Sequence, residues 1–121
     1  MTKRILIVED HEDARRILRD MLATTEYELV EAENGEQALA EVARQRPDLI
    51  LMDIQLPILD GYEATRRIKA DPALRSIPII AVTSYALSGD EAKARAAGCD
   101  DFIPKPYSPR QLLAKVRQYL D

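Results

Sequence analysis

The sequence holds few of the residues that build disulfide frameworks, metal–thiolate sites or glycine-rich nucleotide loops. Its 121 residues include one cysteine, one histidine, four glycines and no tryptophan. The lone Cys99 excludes a disulfide framework, and burial as a small apolar residue is favoured over a redox role. The glycines form neither G-x-x-x-x-G-K followed by Ser or Thr nor G-x-G-x-x-G, so both common nucleotide-binding fingerprints are missing. The lone His11 follows Asp10, and we expect a plain polar residue there rather than a metal ligand or phosphate donor.

Long apolar runs and clusters of positive charge are also missing. No run approaches the roughly 20 apolar residues that span a bilayer, and the N-terminus has no signal-peptide hydrophobic region. The net charge of -4 and the lack of a basic stripe argue against nucleic-acid binding. Hydrophobic residues make up 46% and charged residues 31%, as in soluble globular domains. We therefore expect one cytoplasmic domain that binds neither nucleic acid nor membrane.

Strand and helix patterns alternate along the chain. The predicted strands cover residues 5–8, 27–32, 49–53, 77–83 and 101–104. The predicted helices cover 35–45, 61–70 and 89–97, with one more after Val8 and one more after Ser108. The first helix should turn these apolar residues inward, at i, i+3, i+4, i+7 and i+8: Ala14, Ile17, Leu18, Met21 and Leu22. Five β–α units predict an α/β fold with a mostly parallel sheet.

The composition of the strands predicts their order in that sheet. The first, third and fourth strands are almost wholly apolar, as expected of strands covered on both faces. The second strand alternates apolar and polar residues and the fifth is short, so both suit the edges. The result is a five-stranded parallel sheet of order 2-1-3-4-5 with helices on both faces, in which ligands bind beyond the carboxyl ends of the strands.

Polar side chains follow four of the predicted strands at the point where each strand ends. They are Glu9 and Asp10 after the first strand, Asp53 after the third, Thr83 after the fourth and Lys105 after the fifth. In a parallel sheet these carboxylates, hydroxyl and ammonium meet at one edge. The set suits a divalent cation and a phosphoryl group.

The gathered acids predict a magnesium site. Carboxylates in one cleft raise one another's pKa unless a cation compensates, and Mg²⁺ binds such carboxylates while keeping several waters. We expect Asp10 and Asp53 as direct ligands, Glu9 acting through water, and the backbone carbonyl of Gln55 completing the shell.

Two plainer explanations of the acids stay open. Glu9 and Asp10 could cap the following helix, although a cap needs only one acid and would leave Asp53 unexplained. Asp53 and Lys105 could form a purely structural ion pair, although buried pairs contribute little to stability and this one would not explain the other acids. Thr83 alone is ordinary for a strand.

Five short motifs, in this order and at these spacings, resemble the receiver domains of two-component response regulators. They are Ile7-Val8-Glu9-Asp10, Leu51-Met52-Asp53-Ile54-Gln55-Leu56-Pro57, Asp60-Gly61, Ala81-Val82-Thr83-Ser84 and Lys105-Pro106. The resemblance covers the whole chain and is greatest to stand-alone receivers of the DivK and CheY type. It implies a CheY-like fold and a single receiver domain over residues 1–121 with no output domain.

The resemblance also implies a function for each motif. Asp53 would accept a phosphoryl group from the phosphohistidine of a sensor histidine kinase or histidine phosphotransfer protein. Mg²⁺ would be bound by Glu9, Asp10, Asp53 and the Gln55 carbonyl. Thr83 and Lys105 would contact the phosphoryl group, so that the protein catalyses only its own phosphorylation and slow dephosphorylation. The Lys105–Pro106 bond would be cis.

The same resemblance implies a conformational switch that controls a downstream protein. Phe102 corresponds to the switch aromatic, and because it lacks the hydroxyl of the commoner tyrosine we expect it to sit inward. The fourth helix should bury little apolar area, because its inward positions are mostly alanines (Ala92, Ala96, Ala97). The output surface would then comprise the fourth helix, fifth strand and fifth helix. Tyr85 would flank the path of attacking water and slow hydrolysis.

Two other classes of protein use similar parts. A magnesium-dependent phosphatase or phosphotransferase could also use an aspartyl phosphate, but it usually needs a second acid close after the nucleophile, and position +2 is Gln55. A flavodoxin-like electron carrier shares the topology, but the acids would repel the flavin phosphate. Turnover of a free phosphorylated metabolite would favour the enzyme.

Overall fold

The computed structural model describes residues 2–83 and 90–121, apart from the side chain of residue 90. Within these ranges the strands are β1 (Arg4–Val8), β2 (Glu28–Ala32), β3 (Leu49–Asp53), β4 (Ile79–Thr83) and β5 (Asp101–Pro104). The helices are α1 (Glu12–Leu22), α2 (Gly35–Arg44), α3 (Gly61–Ala70), α4 (Asp90–Ala97) and α5 (Pro109–Leu120). Every predicted element is present and most ends agree within two residues. The predicted start of the fourth helix, residue 89, lies outside the described residues.

The strands form one parallel sheet in the order β2-β1-β3-β4-β5, which confirms the predicted fold. The inner strands β3 and β4 are buried throughout, and β2 at one edge is mostly half-buried. Alternate residues of each strand face opposite sides. Leu6 and Val8 pack in the core beneath α2, α3 and α4, whereas Ile5 and Ile7 pack in the core beneath α1 and α5. None of the helices in the described ranges is long and apolar enough to cross a membrane.

The helix starts show which polar residues are needed for local structure alone. Asn34, Asp60 and Ser108 each cap a helix through the side chain, and Ser108 forms a complete capping box with Gln111. The N-cap of α1 is His11, whose side chain makes no capping hydrogen bond. Capping therefore does not account for the two acids that precede it.

The predicted inward face of α1 is confirmed except at one residue. Ile17 is 53% exposed, whereas the other four predicted residues are buried or half-buried. Arg15, which is only 6% exposed, was not predicted because charged residues were excluded from the inward face, and its guanidinium is buried among hydrogen-bond acceptors.

In α4 the predicted inward residues Ala92 and Ala96 are exposed, and Ala94 lies inward together with Ala97. Alanines occupy both sides of this helix, so their spacing does not define a face.

Gly61 sets the distance between α3 and the end of β3. Its amide donates to the carbonyl of Ile54 at 3.0 Å. A β-carbon at this position would lie 2.2 Å from the main-chain oxygen of Asp53 and 2.8 Å from the α-carbon of Ile54. Both atoms belong to the backbone and cannot rotate away, so only glycine allows the helix to begin this close to the strand.

We expect Gly61→Ala to destabilise the protein. Replacing glycine by alanine in a helix ordinarily stabilises by about 0.5–1 kcal/mol. Here the overpacking against β3 should outweigh that gain and lower the free energy of unfolding by about 1–3 kcal/mol. Urea unfolding followed by circular dichroism measures the sign, and a more stable variant would contradict the close packing.

Candidate functional site

The predicted site residues meet at the carboxyl edge of the sheet. Glu9 follows β1, Asp53 and Thr83 end β3 and β4, and Lys105 follows β5. The parallel register sets Val82 beside Asp53 and Pro104 beside Thr83, so the strand ends lie level. The side chains are enclosed: Glu9 is 2%, Asp53 8% and Thr83 1% exposed. Residues more than ninety positions apart in the chain are therefore gathered in one cleft.

Lys105 joins the acids of two strands. Its Nζ lies 3.0 Å from Oε2 of Glu9 and 3.5 Å from Oδ2 of Asp53. The sequence predicted a pair with Asp53, and the shorter contact is the one with Glu9. The amide of Lys105 donates to the carbonyl of Thr83 at 2.7 Å, which fixes the start of the loop after β5. The amide of Gln55 donates to Oδ1 of Asp53 at 2.9 Å.

Because one ammonium lies between two carboxylates, the two acids have different pKa values. Burial and then the neighbouring Glu9 carboxylate raise the pKa of Asp53 to about 7. Burial works in the same direction on Glu9, but hydrogen bonds with Asp53, Lys105 and His11 lower the pKa of Glu9 to about 2. Without a further cation the pair therefore holds one proton, on Asp53, into the neutral range.

His11 and Asp10 lie beside Glu9 in the cleft. Nδ1 of His11 lies 3.0 Å from Oε1 of Glu9 and 3.1 Å from Oδ1 of Asp10. The hydrogen bond with Glu9, followed by the charges of the acids, raises the pKa of His11. Sequence reasoning treated His11 as a plain polar residue. Its position directly after two acids, at a helix start, was the signal that could have marked it.

The donor set fits a hard divalent cation. Glu9, Asp10 and His11 offer ligand atoms that lie within 4.8 Å of one another, while Asp53 lies outside this group and against Glu9. Oδ1 of Asp10 is buried and finds no hydrogen-bond partner in the part of the chain that the structure describes, although a buried oxygen ordinarily has one. Carboxylate oxygens are the ligands that Mg²⁺ prefers. Ligation by Glu9, Asp10, Asp53 and the carbonyl of Gln55 stays a prediction.

The residues predicted to switch lie beside this cleft. Phe102 is half-buried, faces Ala81 across the β4–β5 pair, and packs against the core beneath α4. The bond between Lys105 and Pro106 is cis, as the resemblance implied. Ser84 belongs to the fourth motif, and Tyr85 was predicted to flank the path of attacking water. Both lie outside the described residues.

We expect Asp53→Asn to stabilise the metal-free protein, and to do so more at about pH 8 than at about pH 5. The pKa of the Asp53 carboxyl is near 3.8 in an unfolded chain and about 7 in the fold, so the folded state loses stability as the pH rises from about 4 to about 7 and bears the full cost above pH 7. Asparagine avoids that cost, so the free energy of unfolding should increase by more than the roughly 1.4 kcal/mol that corresponds to one pKa unit. Urea unfolding of both proteins in EDTA measures this increase.

Asp101→Asn is the matched control for this measurement. Burial raises the pKa of Asp101, but Lys115, the amide of Phe102 and Tyr119 together lower it. A lowered pKa means that the carboxylate is ionised at both pH values, so this variant should lose the same stability at each. An Asp53→Asn gain that did not change with pH would contradict the shared-proton arrangement.

Comparison with known proteins agrees with this geometry. Residues 5–117 match the response regulator receiver domain family. The chain is 44% identical over 120 residues to the polar-differentiation response regulator DivK of Brucella anthropi, with 99% of this chain and 98% of that protein covered.

Solved structures give the same result. A putative response regulator from Chloroflexus aurantiacus is 29% identical, with a TM-score of 0.95 and coverage of 99% and 98%. The receiver domain of a sensor histidine kinase from Pseudomonas aeruginosa is 38% identical, with a TM-score of 0.92 and the same coverage. That domain was solved with a magnesium ion coordinated in its active site cleft. The family match across nearly the whole chain, together with the 44% identity, shows that this chain belongs to the response regulator receiver domains.

Proposed function

We propose that this receiver domain is a signalling switch in which Asp53 accepts a phosphoryl group from a phosphohistidine. The donor would be a sensor histidine kinase or a histidine phosphotransfer protein. The observation that carries the proposal is the position of Asp53: its carboxylate ends a buried strand, faces the ammonium of Lys105, and adjoins Glu9, which is clustered with Asp10. Family membership makes a phosphorylation-dependent switch the expected role of such a site.

The chemistry is an in-line displacement at phosphorus. An oxygen of ionised Asp53 forms the new O–P bond, the P–N bond to the donor histidine breaks, and its electron pair returns to the imidazole. Lys105 offsets charge on the transferring oxygens as a point charge. Glu9, Asp10, Asp53 and the Gln55 carbonyl would hold Mg²⁺, which supplies further charge neutralisation when bound. Because Asp53 keeps a proton into the neutral range, added positive charge also favours the attacking ion.

The phosphorylated aspartate would then reposition its neighbours. An acyl phosphate carries close to two negative charges, which attract the hydroxyl of Thr83 and the ammonium of Lys105. An inward shift of Thr83 leaves room for Phe102, which is already half-buried against the core. Among its described side chains α4 buries only two small ones, Ala94 and Ala97, so it can shift at little cost in apolar area.

The surface formed by α4, β5 and α5 would carry the signal to a downstream protein. A cavity of about 340 Å³ opens between β5 and α5, and Phe102 and Pro106 line it together with Ala114. Movement of Phe102 would therefore change the shape of this surface directly.

Phosphorylation can be tested with acetyl phosphate as the donor, followed by intact mass. We expect the protein to gain one phosphoryl group only when Mg²⁺ is present, and Asp53→Asn to gain none. Asp101→Asn removes a different buried carboxylate, bound to Lys115, and should still be phosphorylated. Labelling of Asp53→Asn to the same extent would exclude Asp53 as the acceptor, and turnover of a free phosphorylated metabolite would favour an enzyme.

The switch can be tested by amide hydrogen exchange. We expect phosphorylation to change exchange over residues 90–104, because α4 and β5 follow Thr83 and Phe102. Thr83→Ala lacks the hydroxyl that would bind the phosphoryl group, so this variant should accept phosphate with a much smaller change in exchange. Identical exchange in the phosphorylated and unphosphorylated wild-type protein would contradict the switch.

A further inference from the structure

Arg15 is a buried cation that the proposed chemistry does not use. It lies on the inward face of α1 and is 6% exposed. Its Nη1 donates to the main-chain oxygen of Glu9 at 2.8 Å. The rest of the guanidinium binds carboxylates: Nη2 lies 2.6 Å from Glu12, and Nε lies 3.1 Å from Glu31. A longer contact of 3.4 Å joins Nη2 to Glu33.

We infer that Arg15 is a positioning residue for the cation-binding acids and acts through the main-chain oxygen of Glu9. The inference rests on the proposed function, because it assigns Arg15 a role in the binding of Mg²⁺ by that same site.

The contact controls the peptide unit that leads into Asp10. The carbonyl of Glu9 and the amide of Asp10 share one plane, so fixing the oxygen also fixes the direction in which the chain enters Asp10. The amide of Glu9 donates to Ala32 at 3.1 Å, and its carboxylate is bound by Lys105 and by the amide of His11. With Arg15 on the carbonyl, each polar group of Glu9 is held.

Asp10 depends on this support more than Glu9 does. Among the described residues its Oδ1 has no hydrogen-bond partner and is paired with the nearby ring of His11, so the direction of its side chain follows from that ring and from the backbone. A cation ligand must be held within a fraction of an ångström of its working position. The contact between Arg15 and Glu9 provides that constraint from beneath the cleft.

Lysine cannot replace this arrangement. Guanidinium presents five N–H donors in a rigid planar fork, whereas ammonium is a point charge on a flexible stem. Arg15 binds the carbonyl and spans α1, the end of β2 and the loop after it through Glu12, Glu31 and Glu33. A lysine could pair with one carboxylate but would release the others or the carbonyl.

Charge and geometry predict opposite results when Arg15 is changed. A positive charge close to a cation site weakens cation binding, so a purely electrostatic role means that Arg15→Gln binds Mg²⁺ more tightly and Arg15→Lys binds it equally. A positioning role means that both variants bind Mg²⁺ more weakly. The sign of the change in dissociation constant therefore separates the two.

Arg19 offers a matched control on the same helix. It pairs with Glu12 and Glu31, two of the carboxylates that Arg15 binds, and none of its hydrogen bonds goes to Glu9. Arg19→Gln therefore removes a comparable set of ion pairs and leaves the carbonyl contact intact. Both Arg15 and Arg19 variants should lose stability, so stability alone does not reveal positioning.

The test is isothermal titration of the metal-free proteins with Mg²⁺, with urea unfolding of each variant in EDTA. We expect the dissociation constant to rise about tenfold in Arg15→Lys and Arg15→Gln, as for other residues that orient metal ligands. It should stay within about twofold in Arg19→Gln. Unchanged or tighter binding in the folded Arg15 variants would overturn the inference. Should Arg15→Gln not fold, Arg15→Lys, which keeps the charge, decides the matter.

The wild-type protein separates this inference from the proposed function. If it neither binds Mg²⁺ nor accepts phosphate from acetyl phosphate, the proposed function fails and the inference fails with it. If the wild type does both and the Arg15 variants bind Mg²⁺ equally well, the inference alone fails.

Discussion

The site depends on a single ammonium that is shared by two buried carboxylates. Lys105 contacts both Glu9 and Asp53, and those acids are 2% and 8% exposed. Desolvation makes each negative charge costly, and one lysine offsets only one of them. The cleft therefore favours added positive charge, first a proton on Asp53 and then a hard cation. Under the proposed function, this deficit is what would distinguish a reactive aspartate from a structural ion pair.

The strand order is what creates that deficit. Because β1 and β3 are parallel neighbours in the order β2-β1-β3-β4-β5, their carboxyl ends adjoin and Glu9 contacts Asp53. The backbone of Asp53 has little freedom, because Gly61 starts α3 directly against it. The parallel sheet therefore holds two carboxylates closer together than they would lie in an unfolded chain.

The parts of the site that could be predicted directly from the sequence are those that the composition of the strands determines. Apolar runs in β1, β3 and β4 marked the inner strands, and the polar residue that ended each run marked the edge. The contact of Lys105 with Glu9 and the burial of Arg15 did not follow, because each depends on side chains from elements distant in the chain. The contacts of His11 were missed although both of its acidic partners directly precede it. Arg15 is buried only because Glu31 and Glu33 arrive beside it on β2 and the next loop. The inward face of α4 was predicted wrongly because alanines lie on both sides of this helix.

The proposed chemistry and the proposed output surface share one short segment of chain. Phe102 and Lys105 lie three positions apart, the first on β5 against the core beneath α4 and the second against the buried acids Glu9 and Asp53. The amide of Lys105 is also tied to the carbonyl of Thr83 at the end of β4. Under the proposed function, a charge added to Asp53 would therefore act on residues that are linked by backbone to the cavity between β5 and α5. The signal would need no long relay through the core, since α4 packs directly against β5.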